Sequence, residues 1–303
     1  MDIAINGSSI LAQPSIATAT AHVVAAEEQG FSRYWLAQTG LVDALTLFTA
    51  IAPATSTIRM GTAVIPTYPR HPAMMAGQAL TAATATGGRL DLGIGLSHKP
   101  AVEDRWGLKF EKPIRHMLDY LNILEPLMAE GRSDYHGEMF TTVTEAARIT
   151  DQAPPLYIAA LGSQMLRIAG RRSAGTLLWM VGPTTIAEHI APEIQAAAAE
   201  AGRPPAEVIC SLPVCVTTDI DGARARAATA FTLYGELPSY RAMLDREGAA
   251  GPADVAIIGS ADEVTDRLRA IGESGASEFS AVEFVSNADE ATATRDALRS
   301  LLT

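Results

Sequence analysis

The chain has 303 residues, 48% of them hydrophobic and 19% charged, enough for one large core or two ordinary ones. Its formal net charge of −11 excludes the basic face that nucleic-acid binding requires, and argues equally against adsorption to an anionic membrane. The N-terminus lacks a basic region followed by an apolar one, and no run of about 18 apolar residues could span a bilayer, so a cytoplasmic protein is expected.

In chain order, Ile3 and Ile5 mark a first strand, and Ala17 to Gln29 an alanine-rich helix closed by Gly30. Ser32 to Ala37 is a second strand, followed by the loop Gln38-Thr39-Gly40 and a helix capped by Asp43. Ile58 to Ile65 gives a third strand and Ala73 to Thr86 its helix. Leu90 to Leu96 gives the fourth strand, with Gly93 and Gly95 in its last half. A long excursion follows, Ser97 to Ala153, with an amphipathic helix from Ile114 to Met128 and a polar segment at Tyr135-His136-Gly137-Glu138. Leu156 to Leu161 is a fifth strand, turned by Gly162-Ser163 into a helix, and Thr176 to Val181 is a sixth. Thr185 and Glu188 have capping-box spacing before a helix that stops at Gly202.

Val208 to Val216 is a seventh strand; it holds Cys210 and Cys215, whose odd separation puts them on opposite faces as buried thiols. A second excursion, Asp219 to Gly259, has helical patterns at Ala223 to Leu233 and Ser239 to Glu247. Ser260 and Glu263 form another capping box, Phe279 to Val285 is an eighth strand, and Asn287 caps the terminal helix.

Strands alternating with helices imply parallel pairing through right-handed crossovers. Eight such units predict an α/β fold, a single-domain (β/α)₈ TIM barrel over residues 1–303 with insertions after strands 4 and 7. The competing architecture, an open doubly wound sheet, lacks its Gly-x-Gly-x-x-Gly turn after the first strand.

In a barrel, functional residues collect at the C-terminal strand ends, and here those ends are small, apolar or neutral. No Gly-x-Ser-x-Gly elbow, paired carboxylates or close histidine pair appears, so hydrolase and metal chemistry lack support. Such a mouth suits a reaction performed by a bound cofactor, with room for a flat ring beside Ala63, Gly93, Gly95, Ala159 and Ala160. A strand, a Gly-Ser turn and a helix start at Gly162-Ser163 leave backbone N–H groups free for a phosphate. The plainer alternative is an ordinary turn in which Gly162 relieves a backbone clash. His98 follows the glycine-bearing fourth strand and is the candidate catalytic residue; a loop histidine bonded to backbone is the alternative.

Four segments carry a family resemblance: Arg59-Met60-Gly61-Thr62-Ala63-Val64 with Pro69-Arg70-His71-Pro72, Gly88-Arg89-Leu90-Asp91-Leu92-Gly93-Ile94-Gly95, Pro155-Leu156-Tyr157-Ile158-Ala159-Ala160-Leu161-Gly162, and Ile258-Gly259-Ser260. In order and spacing they resemble the luciferase-like monooxygenase superfamily, in particular its coenzyme F420-dependent oxidoreductases. The resemblance implies a deazaflavin- or flavin-binding barrel, expected to be homodimeric, with a non-proline cis peptide at Ala63-Val64. It implies cofactor contacts at Gln38, Thr62, Ala63, Val64, Gly95, Leu96, Ser97, Ala160 and Leu161, and a phosphate at Gly162 and Ser163.

Relatives acting on sugar phosphates have Asp-His where Gln38-Thr39 stand and a glutamate where His98 aligns, so their acid–base pair is missing here. The expected activity is hydride transfer between F420 and a small organic substrate, in the direction of reduction, with His98 or a water giving the proton. FMN with monooxygenase chemistry is the alternative, and a cofactor-binding protein with little turnover a third.

Overall fold

The computed structural model describes residues 1–302. Its eight barrel strands are β1 (Asp2–Asn6), β2 (Arg33–Leu36), β3 (Arg59–Thr62), β4 (Leu90–Gly95), β5 (Leu156–Ile158), β6 (Gly175–Trp179), β7 (Glu207–Val216) and β8 (Glu278–Glu283). All pair in parallel in chain order, and both β6 with β7 and β8 with β1 are bonded, so the sheet closes on itself. The fold is the (β/α)₈ barrel with long excursions after β4 and β7. Register runs through Leu36↔Thr62, Gly61↔Asp91, Ile94↔Ile158 and Ile158↔Thr176.

Closure works because the strands are apolar on both faces, as parallel strands covered by helices must be. Ile3, Ile5, Leu90, Leu92, Ile94, Val208 and Phe279 are buried in the main core with helix residues such as Val23, Phe48, Met75 and Leu124. A smaller cluster of Ala4, Trp35, Tyr157, Leu177 and Ile209 packs separately from it. Both cysteines are free and buried, Cys210 in the main core and Cys215 in another cluster, as their spacing predicts.

Several helix starts form as read: Asp43 accepts from Thr46 N, Ser260 and Glu263 close a reciprocal capping box, and Asn287 accepts from Glu290 N. Three details differ. The polar segment at 135–138 belongs to an antiparallel hairpin, Arg132–His136 with Thr141–Glu145, lying apart from the barrel. A short strand, Ile257–Gly259, extends the sheet by pairing with the second half of β7. Thr185 and Glu188 form no capping box. The helical segment begins earlier, at Pro183, and the carboxylate of Glu247 caps it from the second excursion, accepting from Thr184 N at 3.2 Å and Thr185 N at 2.8 Å. The Thr185 hydroxyl instead donates to the Met243 carbonyl.

Candidate functional site at the barrel mouth

The C-terminal ends of β3, β4 and β5 are neighbours, so their loops form one continuous arc of the rim. Along it the backbone departs from regular geometry. The Ala63-Val64 peptide is cis, where the resemblance placed it. It interrupts the third strand, whose last residues resume as the two-residue strand Ile65–Pro66 beside β4. Ser97 after β4 and Met180 after β6 have φ of 63° and 54°, a left-handed conformation that side-chain-bearing residues adopt at some cost. Outliers of this kind gather where a surface is held for a ligand, and both lie at the face where barrel sites form.

Gly93 and Gly95 serve the protein itself. A Cβ on Gly93 would lie 1.9 Å from the Thr62 carbonyl oxygen, and one on Gly95 2.7 Å from Val64 Cγ2 and 3.1 Å from Ala159 Cβ. The room they leave is taken by the third strand and its bulge rather than held open for a ring, which corrects the expectation from composition. The Thr62 hydroxyl is likewise committed, donating to Gly93 O and accepting from Gly93 N at 2.8 Å each. The side chain of Gln38 accepts from Ala44 N and its backbone N–H reaches Val64 O, so the second loop is tied to the bulge. Ala160 is buried in the main core, while Leu161 and Leu96 are half-buried against it. Gln38, Ala63, Val64, Gly95, Leu96 and Ser97 thus fall along the arc from the second to the fourth strand end.

Gly162 is the opposite case. Its φ of −85° and ψ of 152° are open to any residue, and nothing lies within 4 Å of where a Cβ would be. Neither a clash nor backbone geometry asks for glycine, so Gly162 does not relieve a backbone clash. The glycine leaves an exposed, side-chain-free approach to the start of helix Ser163–Arg172. Gly162 makes no side-chain cap for that helix, and Ser163 donates from Oγ to Glu193 Oε1 at 2.7 Å. His189 stands beside them, its Nε2 2.8 Å from Leu161 O and its Nδ1 3.1 Å from Glu193 Oε1.

His98 meets aromatic rings that only the fold brings to it. Tyr240 lies edge-on at 5.5 Å between centroids and Tyr234 at 6.1 Å, both from the second excursion. Tyr234 and Phe231 in turn pack against Trp179 at the end of β6, at 5.8 and 5.7 Å. Burial lowers the pKa of His98, so its imidazole is neutral at pH 7. Burial also raises the pKa of Tyr234 and Tyr240, which keep their phenolic protons. The Trp179 Nε1–H is buried without a hydrogen-bond partner. Trp179, Tyr234, Tyr240, His189 and Glu193 are rim residues that pattern reading missed. For Tyr234 and Tyr240 the advance signal is the aromatic density of 231–240.

The closed barrel carries its candidate site at the C-terminal ends of β3, β4 and β5. The luciferase-like monooxygenase family model matches residues 3–278, and the chain belongs to that family. Among curated relatives, a 5,10-methylenetetrahydromethanopterin reductase of Methanolobus tindarius is 30% identical over 241 residues, covering 78% of this chain and 72% of the relative. The enzyme of the same name from Archaeoglobus fulgidus is 31% identical over 232 residues, covering 75% and 68%. A solved structure of an F420-dependent secondary alcohol dehydrogenase with an F420-acetone adduct has a TM-score of 0.82 at 18% identity, covering 99% and 98%. An FMN complex of the oxygenating constituent of 3,6-diketocamphane monooxygenase from Pseudomonas putida has a TM-score of 0.75 at 16% identity, covering 99% and 96%. At those identities the two structures speak for the fold alone. Among the described residues no group of three or more His, Cys, Asp and Glu could hold a metal, and no helix is long and apolar enough to cross a membrane.

Proposed function

We propose that the chain binds coenzyme F420 and exchanges a hydride between it and a small organic substrate, working as a reductase. The observation that carries the reading is the open glycine at Gly162, which leaves the start of the helix after β5 accessible to a cofactor phosphate, beside a mouth without a fixed acid–base pair. The names of the two reductases at 30% and 31% identity support it, as does the F420-dependent dehydrogenase of the same fold.

When bound, the deazaflavin ring supplies the hydride chemistry. The protein's part is to place it. Gly162 and Ser163 would hold the phosphate, and Ala63, Val64, Leu96 and Ser97 would border the ring. The neutral His98 offers an imidazole N–H to the substrate without adding a positive charge, and the phenols of Tyr234 and Tyr240 are further donors. Tyr234, Tyr240 and Trp179 enclose this side of the mouth and limit water there. A hydride delivered to a polarised double bond leaves one proton to be provided, and these N–H and O–H groups are where it would come from. We also expect a homodimer, which light scattering on the purified protein would read directly.

Titration with F420 and with FMN, followed by fluorescence, tests the cofactor. F420 should bind in the micromolar range or tighter. FMN binding at that level with no F420 binding would overturn the reading in favour of the monooxygenase. F420 binding with no hydride donor or acceptor ever processed would favour a carrier with little turnover.

A further inference from the structure

Three polar side chains at the mouth have hydrogens to give and no acceptor to take them. Among the described residues, the side chains of His98, Tyr234 and Tyr240 form no hydrogen bond and no ion pair; only their backbones are bonded. All three are half-buried with their polar ends still accessible, whereas the Trp179 Nε1–H is sealed in. That indole N–H comes near the Tyr234 oxygen without reaching hydrogen-bond geometry, so it leaves the phenolic hydrogen of Tyr234 unspent. The rings stand edge-on in a closed triangle, with centroids 5.5 Å apart for His98 and Tyr240, 6.1 Å for His98 and Tyr234, and 5.0 Å for the two tyrosines. His98 directly follows Ser97, so the triangle borders the strained end of β4. A neutral imidazole brings one N–H and each phenol one O–H.

We infer that His98, Tyr234 and Tyr240 receive the carbonyl oxygen of an uncharged, flat molecule, which makes the substrate class an α,β-unsaturated ketone. The inference rests on the proposed hydride exchange with F420. Neutral donors without a cation suit an oxygen that arrives uncharged and gains negative charge only during the reaction. A carboxylate or phosphate would lose its water there and find no cation in return. The walls between the donors are aromatic, with Trp179 and Phe231 next in line, and ring faces and edges favour a flat apolar body. A hydride added to the carbon β to the carbonyl shifts the alkene electron pair onto oxygen, where the three donors hold the enolate. A proton from one of them, replaced from water, then joins the α-carbon. The C=C bond is saturated and F420 passes from its reduced to its oxidised form.

The test compares chromone, a flat conjugated ketone, with naphthalene, the same bicyclic outline without a carbonyl. Binding is measured by calorimetry on the wild type, Tyr240→Phe and Tyr234→Phe, each with and without oxidised F420. Both substitutions keep the ring and remove one O–H. Each should weaken chromone about fivefold, the scale of one lost hydrogen bond, and leave naphthalene within about twofold. The carbonyl carbon of chromone should move downfield in carbon-13 NMR on binding to the wild type, and move less in the variants. Naphthoate, which adds a charge to the same outline, should bind more weakly than naphthalene. Equal changes for chromone and naphthalene, unchanged chromone affinity in both variants, or naphthoate binding more tightly than chromone would overturn the inference. Failure of the proposed function shows separately, as a wild type that binds no F420, while chromone binding to the F420-free protein still reads the donors.

Discussion

The two ends of the barrel solve opposite problems. At the N-terminal end, single charges at or near the strand starts meet in one network. Arg33 bonds Glu207 and Glu278 and pairs with Asp91 at 3.1 Å; Arg59 also holds Asp91; Trp35 Nε1 donates to Glu278, and Tyr157 to Glu207. At the C-terminal end stand glycines, a cis peptide, two left-handed residues and a wall of rings. The floor is dense in charge and satisfied internally, so it can be rigid. The mouth keeps donors unspent and charges few, which is what a ligand can use. Buried polar groups are costly unless paired, so a barrel can leave them free only at the face where something else will pair them.

The sharpest way to break this contrast is Arg33→Ala. It would leave Asp91 and Glu278, both nearly fully buried, without their shared cation, and should cost about 3–5 kcal/mol in chemical denaturation. If that variant lost ligand affinity while still fully folded, the separation of floor from mouth would be wrong.

Glu278 gives a milder test. Burial dominates its environment and pushes its pKa up from 4.5 to about 7, although Arg33 and Trp35 pull it down. Between those values the folded state holds a proton that the unfolded state has lost, so stability falls as pH rises from about 4.5 to 7. The loss contributed by this one group should be about 1–3 kcal/mol. Glu278→Gln should flatten that part of the profile, read as the difference in denaturation midpoints across the window. An unchanged slope would place the titration elsewhere.

At the mouth the two kinds of glycine should part company. Gly93→Ala pushes a methyl against the Thr62 carbonyl and should cost about 1–3 kcal/mol of stability. Gly162→Asp should change stability by less than about 0.5 kcal/mol, the smallest effect of the set, because the space is open and the backbone unstrained. The same aspartate should weaken cofactor binding by about 1–3 kcal/mol, by repelling the phosphate. Unchanged affinity would move the phosphate away from β5.

The barrel was legible because its strands are continuous apolar runs ended by Gly, Pro or Ser, a local signal that parallel pairing only reinforces. The turn at Gly162 was legible as a geometry, although the absence of any clash around it shows only in the structure. The hairpin at 132–145 escaped because it is largely exposed and alternates polar residues with polar ones. The floor network left a trace, since Asp91 interrupts Leu-Asp-Leu inside an otherwise apolar strand, but its partners Arg59 and Arg33 lie 32 and 58 positions away and only pairing of the strands brings them together. The same holds for the rings around His98. Their helices form for local reasons, and what they face is decided by the crossover that carries them over the rim.

Glu247 has a mechanical consequence. By capping the Thr184 and Thr185 amides, a residue on the second excursion completes a helix that belongs to the sixth unit of the barrel. Wall and scaffold are riveted at that point, and a graft of residues 219–259 from a relative would carry new rings without the rivet unless it also carried this glutamate. Specificity here is therefore modular only in part: the loop can be exchanged, but its fastener has to travel with it.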